Sequence, residues 1–181
     1  MKNFYFDNNA TTKVADEVVD EMMPFFTDLW GNPSSMHTFG GQVEEHVDEA
    51  RERVASLINA EPEEVVFTSC GSESDNTALR GAVKASAAHR PHIITTRVEH
   101  AAVLGTCRHL AERGCRVTEL EVDRNGHLDL EQLRDAITDE TAIVSIMWAN
   151  NETGVIFPID EVAEIVKDAD CLLHTDAVQA V

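Results

Sequence analysis

The sequence predicts an α/β fold on a largely parallel sheet, and three features carry that expectation. From residue 65 onward, short β-branched runs alternate with stretches of helical periodicity. The runs are dense in Val and Ile, as strands buried on both faces require. No repeat or low-complexity tract interrupts the alternation, which favours helices layered on a sheet.

In chain order, apolar residues at Val14, Val18, Met22, Phe25, Phe26 and Leu29 predict one amphipathic helix over 14–29, stopped by the loop at 31–35. A second helix follows, with Val43, Val47, Ala50, Val54, Leu57 and Ile58 on one face and acidic residues opposite, limited by Pro62. Five strands are expected at 65–67, 92–98, 115–122, 142–148 and 171–175. Helices are expected between them at 73–88, 101–112, 130–137 and 159–167, the last introduced by Pro158. The order is β-α-β-α-β-α-β-α-β, and the chain stops soon after the last strand without a closing helix.

Composition narrows the function classes. The 181 residues carry 33 acidic and 14 basic side chains, a formal net charge of −19, with 43% hydrophobic content. That suits one soluble domain with a packed core. The charge repels phosphate backbones and no basic run offsets it, so nucleic acid is not an expected partner. A carboxylate surplus with only four lysines equally fits a high-salt host or an ordinary acidic surface. Apolar runs fall far short of the roughly 18 residues that span a bilayer, and the N-terminus has no apolar leader, so the expected location is the cytoplasm. Cys70, Cys107, Cys115 and Cys171 form no CxxC pair and read as reduced thiols. The helix terminus could lower the pKa of Cys70, but the residue is expected to be a semi-buried packing residue rather than a nucleophile. No metal site is expected, because the histidines lack HExxH spacing.

Ligands of open α/β sheets bind outside the carboxyl ends of the strands, which directs attention to four polar segments. In TSCGSESDN, Gly71 and Ser72 enter a helix where backbone N–H groups and a hydroxyl could seat a phosphate. Alone, the segment is better read as Ser72 capping the helix with Asp75 in an approximate capping box. His100 follows the second expected strand, placed to transfer protons or to stack on a planar ring, or to serve structure. In ANNETG, Asn150 and Asn151 could read an anionic oxygen or hydroxyl, or simply form a turn. In HTDAVQA, a helix beginning at Asp176 would project Asp176 and Gln179 from one side of its first turn. Asp176 has no basic neighbour in sequence, and a protonated ring nitrogen would supply the missing charge. Phosphate seat, stacking His, hydroxyl-reading Asn and pyridinium-pairing Asp together match pyridoxal 5'-phosphate.

The segments YFDNNATT, FGNPSS, FTSCGSESDN, VEHAAVL, MWANNETG and HTDAVQAV resemble, in order and spacing, the N-terminal half of NifS/IscS-type cysteine desulfurases. These are class V, fold-type I enzymes of pyridoxal phosphate. The resemblance implies a three-layer fold-type I large domain, incomplete at its C-terminal side, with an N-terminal arm over 1–13 and the partial domain over 14–181. It implies that Gly71 and Ser72 hold phosphate, Ser72 standing where the family usually has Thr. It further implies that His100 stacks on the ring and moves protons, that Asn151 and Gln179 contact the phenolic oxygen, and that Asp176 pairs with the ring nitrogen.

The family converts L-cysteine to L-alanine and passes sulfur to an enzyme cysteine as a persulfide, feeding iron–sulfur cluster assembly through scaffold or acceptor proteins. Its working form is a homodimer. The family's Schiff-base lysine, persulfide cysteine and substrate-binding arginine fall beyond Val181, and none of the four lysines here replaces the first. The 181 residues alone are therefore expected to be inactive. Two alternatives stay open: another class V activity such as aminotransfer or selenocysteine lysis, and a noncatalytic binding or dimerisation module.

Overall fold

The computed structural model describes residues 4–169 and 171–180, which fall into two compact units divided between Phe67 and Thr68. In the first, the helix expected over 14–29 is instead two short ones, α1 (Asp16–Met22) and α2 (Pro24–Thr27). Pro24 causes the break, since it has no N–H to continue the ladder and is favoured at a helix start. Helix α3 (Thr38–Ile58) follows, and Asn59 ends it in the left-handed conformation at φ 54°. Of its expected apolar stripe, Val43 is buried whereas Val54, Leu57 and Ile58 are exposed, and Ala55, outside that stripe, is buried.

The strand expected at 65–67 is not formed. Its backbone is engaged locally: Val65 N–H donates to Pro62 O at 3.2 Å, and the Arg51 guanidinium donates to Val65 O. Arg51 also lies over the Phe67 ring, 4.9 Å from its centroid. With both polar groups of Val65 taken, the segment has nothing to offer a ladder there.

The second unit alternates as expected, beginning with a helix rather than a strand. It runs α4 (Gly71–Ala85), β1 (His92–Thr96), α5 (Ala101–Glu112), β2 (Arg116–Leu120), α6 (Leu130–Ala136), β3 (Thr141–Ser145), α7 (Ile159–Asp168) and β4 (Leu172–His174). Among the described residues the sheet has four strands, all parallel, in the order β2-β1-β3-β4. Ile93 and Ile143 face Leu79 and Ala82 of α4 and Val103, Cys107 and Leu110 of α5. Ile94 and Val144 face Leu133 of α6 and Val162, Ile165 and Val166 of α7. The result is the expected three-layer arrangement, with all five residues of β1 buried. No described helix is long and apolar enough to cross a membrane.

Strand order places the ligand crevice. Sequence order reverses direction at the β1–β3 pair, so connections leave to opposite sides there and open a gap beyond the carboxyl ends.

Candidate functional site

Beyond β1 the chain turns through 97–99 to His100, which caps α5. Its Nδ1 accepts the Ala102 N–H at 3.2 Å, so the neutral ring carries its proton on Nε2, and the side chain is exposed. Helix α4 starts beside the crevice with Gly71 and Ser72 at its first two positions. Ser72 is not the cap: Cys70 holds that position in extended conformation without a side-chain capping bond. The capping-box reading is corrected likewise, because Glu73, not Asp75, reaches back to the Ser69 N–H (2.7 Å) and hydroxyl (2.6 Å). The Ser69 donors lower the Glu73 pKa. A Cβ on Gly71 would lie 3.1 Å from Val178 Cγ2, so the helix start adjoins the turn after β4.

Cys70 is exposed, against the expectation of a semi-buried packing residue. The Glu73 N–H, then the Ser69 hydroxyl, stabilise its thiolate and lower its pKa. Cys107 is buried, and desolvation pushes its thiol up to about 12.

Beyond β4, Asp176 accepts the Val178 N–H at 3.1 Å and lends its carbonyl to Trp148 N–H at 2.9 Å. The helix expected to begin at Asp176 is a turn among the described residues, closed by Ala180 N–H to Ala177 O, and Gln179 is exposed within it. Asp75, on the buried side of α4, sits 3.5 Å from Nε2 of His174, whose Nδ1 is 2.9 Å from Ser145 Oγ. Ligand atoms of Asp75, His100 and Asp176 lie within 4.8 Å of one another. Among the described residues neither aspartate pairs with a lysine or arginine.

Asn150 takes the turn-forming role. It is buried, its Nδ2 donates to Val98 O at 2.9 Å, and its Oδ1 accepts from the N–H groups of Glu152 and Thr153 and from the Thr153 hydroxyl. Asn151, beside it, is half-buried. Sequence reasoning missed Glu99. It is 5% exposed, and Oε1 accepts from the Thr96 hydroxyl (2.8 Å) and Met147 N–H (2.9 Å). Oε2 has no partner. Burial raises its pKa to about 7, against the two donors, with the Asp176 charge adding to the rise.

The donor set fits a flat, cationic, phosphorylated ring. Among the described residues Asp176 has no lysine or arginine partner and Asp75 is met only by His174, the buried oxygens Glu99 Oε2 and Thr175 Oγ1 are unpartnered, and a 15-residue helix begins alongside. The comparisons with known proteins point the same way. The aminotransferase class-V family model matches residues 4–181. Cysteine desulfurase of Trichormus azollae is 55% identical over 181 residues, which is 100% of this chain and 45% of that protein. Cysteine desulfurase NifS of Azotobacter vinelandii is 54% identical over 182 residues, again covering 100% and 45%. The chain thus spans about half the length of the curated relatives it matches. Among solved structures, a NifS-like protein superposes with a TM-score of 0.94 at 43% identity, over 98% of this chain and 49% of that one. SspA in complex with cysteine gives a TM-score of 0.94 at 36% identity, over 97% and 51%. The chain therefore belongs to the class-V aminotransferase family and is similar to the N-terminal halves of its NifS- and IscS-type cysteine desulfurases.

Proposed function

We propose that this chain is the cofactor-cradling half of a pyridoxal phosphate-dependent cysteine desulfurase, which takes L-cysteine to L-alanine and hands the sulfur to an enzyme cysteine as a persulfide. The observation that carries the reading is Asp176 facing His100 at the switch point with no lysine or arginine partner among the described residues, while its neighbour Asp75 is paired with His174. The relatives' names, and cysteine in the SspA complex, support the substrate.

Bound there, pyridoxal phosphate would act as an electron sink for the bonds at the substrate's Cα. Asp176 would hold the proton on the ring nitrogen, keeping the ring cationic. Gly71 and Ser72 would bind phosphate through helix-start N–H groups and the Ser72 hydroxyl. His100 would lie against the ring with Nε2 free to move a proton, Nδ1 being fixed by Ala102. Asn151 and Gln179 would approach the phenolic oxygen. The anchoring lysine and the persulfide cysteine would come from sequence outside these 181 residues, which by themselves would not turn over. No metal is part of this reading.

We further place residues 1–13 as an arm and 14–181 as part of the large domain of a cytoplasmic homodimer that supplies sulfur to iron–sulfur scaffold or acceptor proteins. The apolar side chains exposed in the 1–67 unit, such as Phe26, Trp30, Leu57 and Ile58, support pairing with a second copy. The test is the complete protein with L-cysteine. Without reductant, alanine and a cysteine persulfide on the enzyme are expected; with reductant, which frees that sulfur, sulfide and alanine in equal amounts are expected. Alanine without persulfide would favour another class V activity, and a folded protein that binds no pyridoxal phosphate would overturn the proposal in favour of a noncatalytic module.

A further inference from the structure

After Thr96 the backbone of β1 leaves the sheet, and Arg97 gives its N–H to Leu120 O on the β2 side. The chain beyond β3 runs further: Ile146 donates to His174 O at 3.1 Å and Trp148 to Asp176 O at 2.9 Å, both toward β4. The N–H between them, at Met147, points by strand alternation to the side that β1 has vacated. Glu99 fills that vacancy, its Oε1 accepting the Met147 N–H while Thr96 braces the same oxygen. A parallel tie joins Asn150 Nδ2 to Val98 O. The turn that ends in His100 is thus fastened to the exit loop of β3, which carries Asn151.

An amide could accept the same hydrogen bonds, so a carboxyl in this place needs another reason. The side chain is 5% exposed and Oε2 makes no hydrogen bond. The groups facing it are Asp176 and His174 from the end of β4, with Asp75 behind His174, and Cys107 from α5. From β1 and β3 it meets the Thr96 hydroxyl and the Met147 N–H. Burial and the Asp176 charge favour a proton on Glu99, and any cation arriving at Asp176 favours its loss.

We propose that Glu99 is a positioning residue, standing in for β1 backbone to fix the His100 turn against the β3 exit loop and holding a proton that it releases when a cation docks on Asp176. The inference rests on the cofactor reading for the identity of that cation.

The test uses the complete protein freed of cofactor, with E99Q and E99A. Proton exchange on adding pyridoxal phosphate is measured by titration calorimetry in two buffers of different ionisation enthalpy. At pH 7, near the Glu99 pKa, wild type should release more protons than E99Q, and the difference should vanish at pH 9. E99Q should bind pyridoxal phosphate within about threefold of wild type, while E99A, leaving the Met147 N–H unsatisfied, should bind about tenfold or more weakly. Equal proton release by wild type and E99Q, or wild-type affinity in E99A, overturns the proposal. If E99A does not fold, the wild-type and E99Q comparison decides alone. If wild type binds no pyridoxal phosphate, the cofactor reading falls and Glu99 is judged by the Met147 amide, which should resist hydrogen exchange in wild type and in E99Q. Rapid exchange in both would overturn the clasp.

Discussion

Two buried groups with opposite titration behaviour make the pH dependence of stability a sharp test of the sheet. His92 opens β1 with no solvent exposure, its Nδ1 3.0 Å from Thr141 Oγ1 and Nε2 2.9 Å from Thr118 Oγ1. Burial, with the nearby Arg116 cation second, pushes its pKa from 6.5 down to about 4. Glu99, buried beyond the other end of β1, moves the opposite way, from 4.5 up to about 7. For His92 the fold favours the neutral ring, so its contribution is complete above about pH 6.5 and is lost as pH falls through 4. For Glu99 the fold favours the protonated carboxyl, so its contribution is complete below about pH 4.5 and is lost as pH rises through 7. Each displacement is worth about 3 kcal/mol, and between pH 4.5 and 6.5 the two oppose each other. Single variants should uncover the hidden slopes. E99Q should lose about 3 kcal/mol on going from pH 7 to 4, and His92→Asn about 3 kcal/mol on going from pH 4.5 to 7. Urea unfolding of the cofactor-free complete protein, followed by circular dichroism in steps from pH 4 to 8, gives these values. Single variants that slope in the same direction, or that match the wild-type profile, would refute the reasoning.

Other outcomes follow from the site and its surroundings. Asp176→Asn should weaken pyridoxal phosphate binding about a hundredfold without moving the melting temperature, as an absorbance titration beside a thermal melt would measure. Asn150→Ala should destabilise by about 2–3 kcal/mol in urea unfolding, because it strips the partners from Val98 O and from the Glu152 and Thr153 N–H groups. Iodoacetamide at neutral pH should label Cys70 well before Cys107 or Cys115, read by peptide mass spectrometry; its exposed thiol has a lowered pKa, while burial raises the other two.

Sequence reading reached what is decided locally. Helix α5 occupies the expected residues because a polar cap and an unbroken apolar stripe define it without help from the rest of the chain. Gly71, Ser72, His100 and Asp176 fall at the element ends anticipated for them, since the end of a strand or the start of a helix is itself a local signal. What stayed hidden depends on pairings far apart in sequence. Asp75, Ser145 and His174 meet only because β3 and β4 lie side by side near α4. Glu99 looked like one more polar residue after a strand, and its task exists only because β1 ends before β3's chain does. Of the two roles open to Asn150, it takes the turn-forming one, a local matter, whereas the carbonyl that its Nδ2 serves, at Val98, is 52 positions away. The failed strand at 65–67 had the right composition, but Arg51 took its carbonyl from a different helix.

The same accounting explains why the three carboxyl groups of the crevice have different work. Asp75 is answered by His174, which is itself held by Ser145. Glu99 is answered by a hydroxyl and a backbone N–H, and its burial is relieved by a proton. Asp176 has one backbone donor, from Val178, and is half-buried, so of the three it keeps the least compensated charge. A cation entering the crevice gains most at Asp176 and would disturb the other two less, while phosphate is drawn instead to the start of α4, where N–H groups lack intrahelical partners. A ligand carrying both charges on one rigid ring would therefore be oriented by the fold before any contact specific to the substrate is made, with its cation at the end of β4 and its anion at the start of α4.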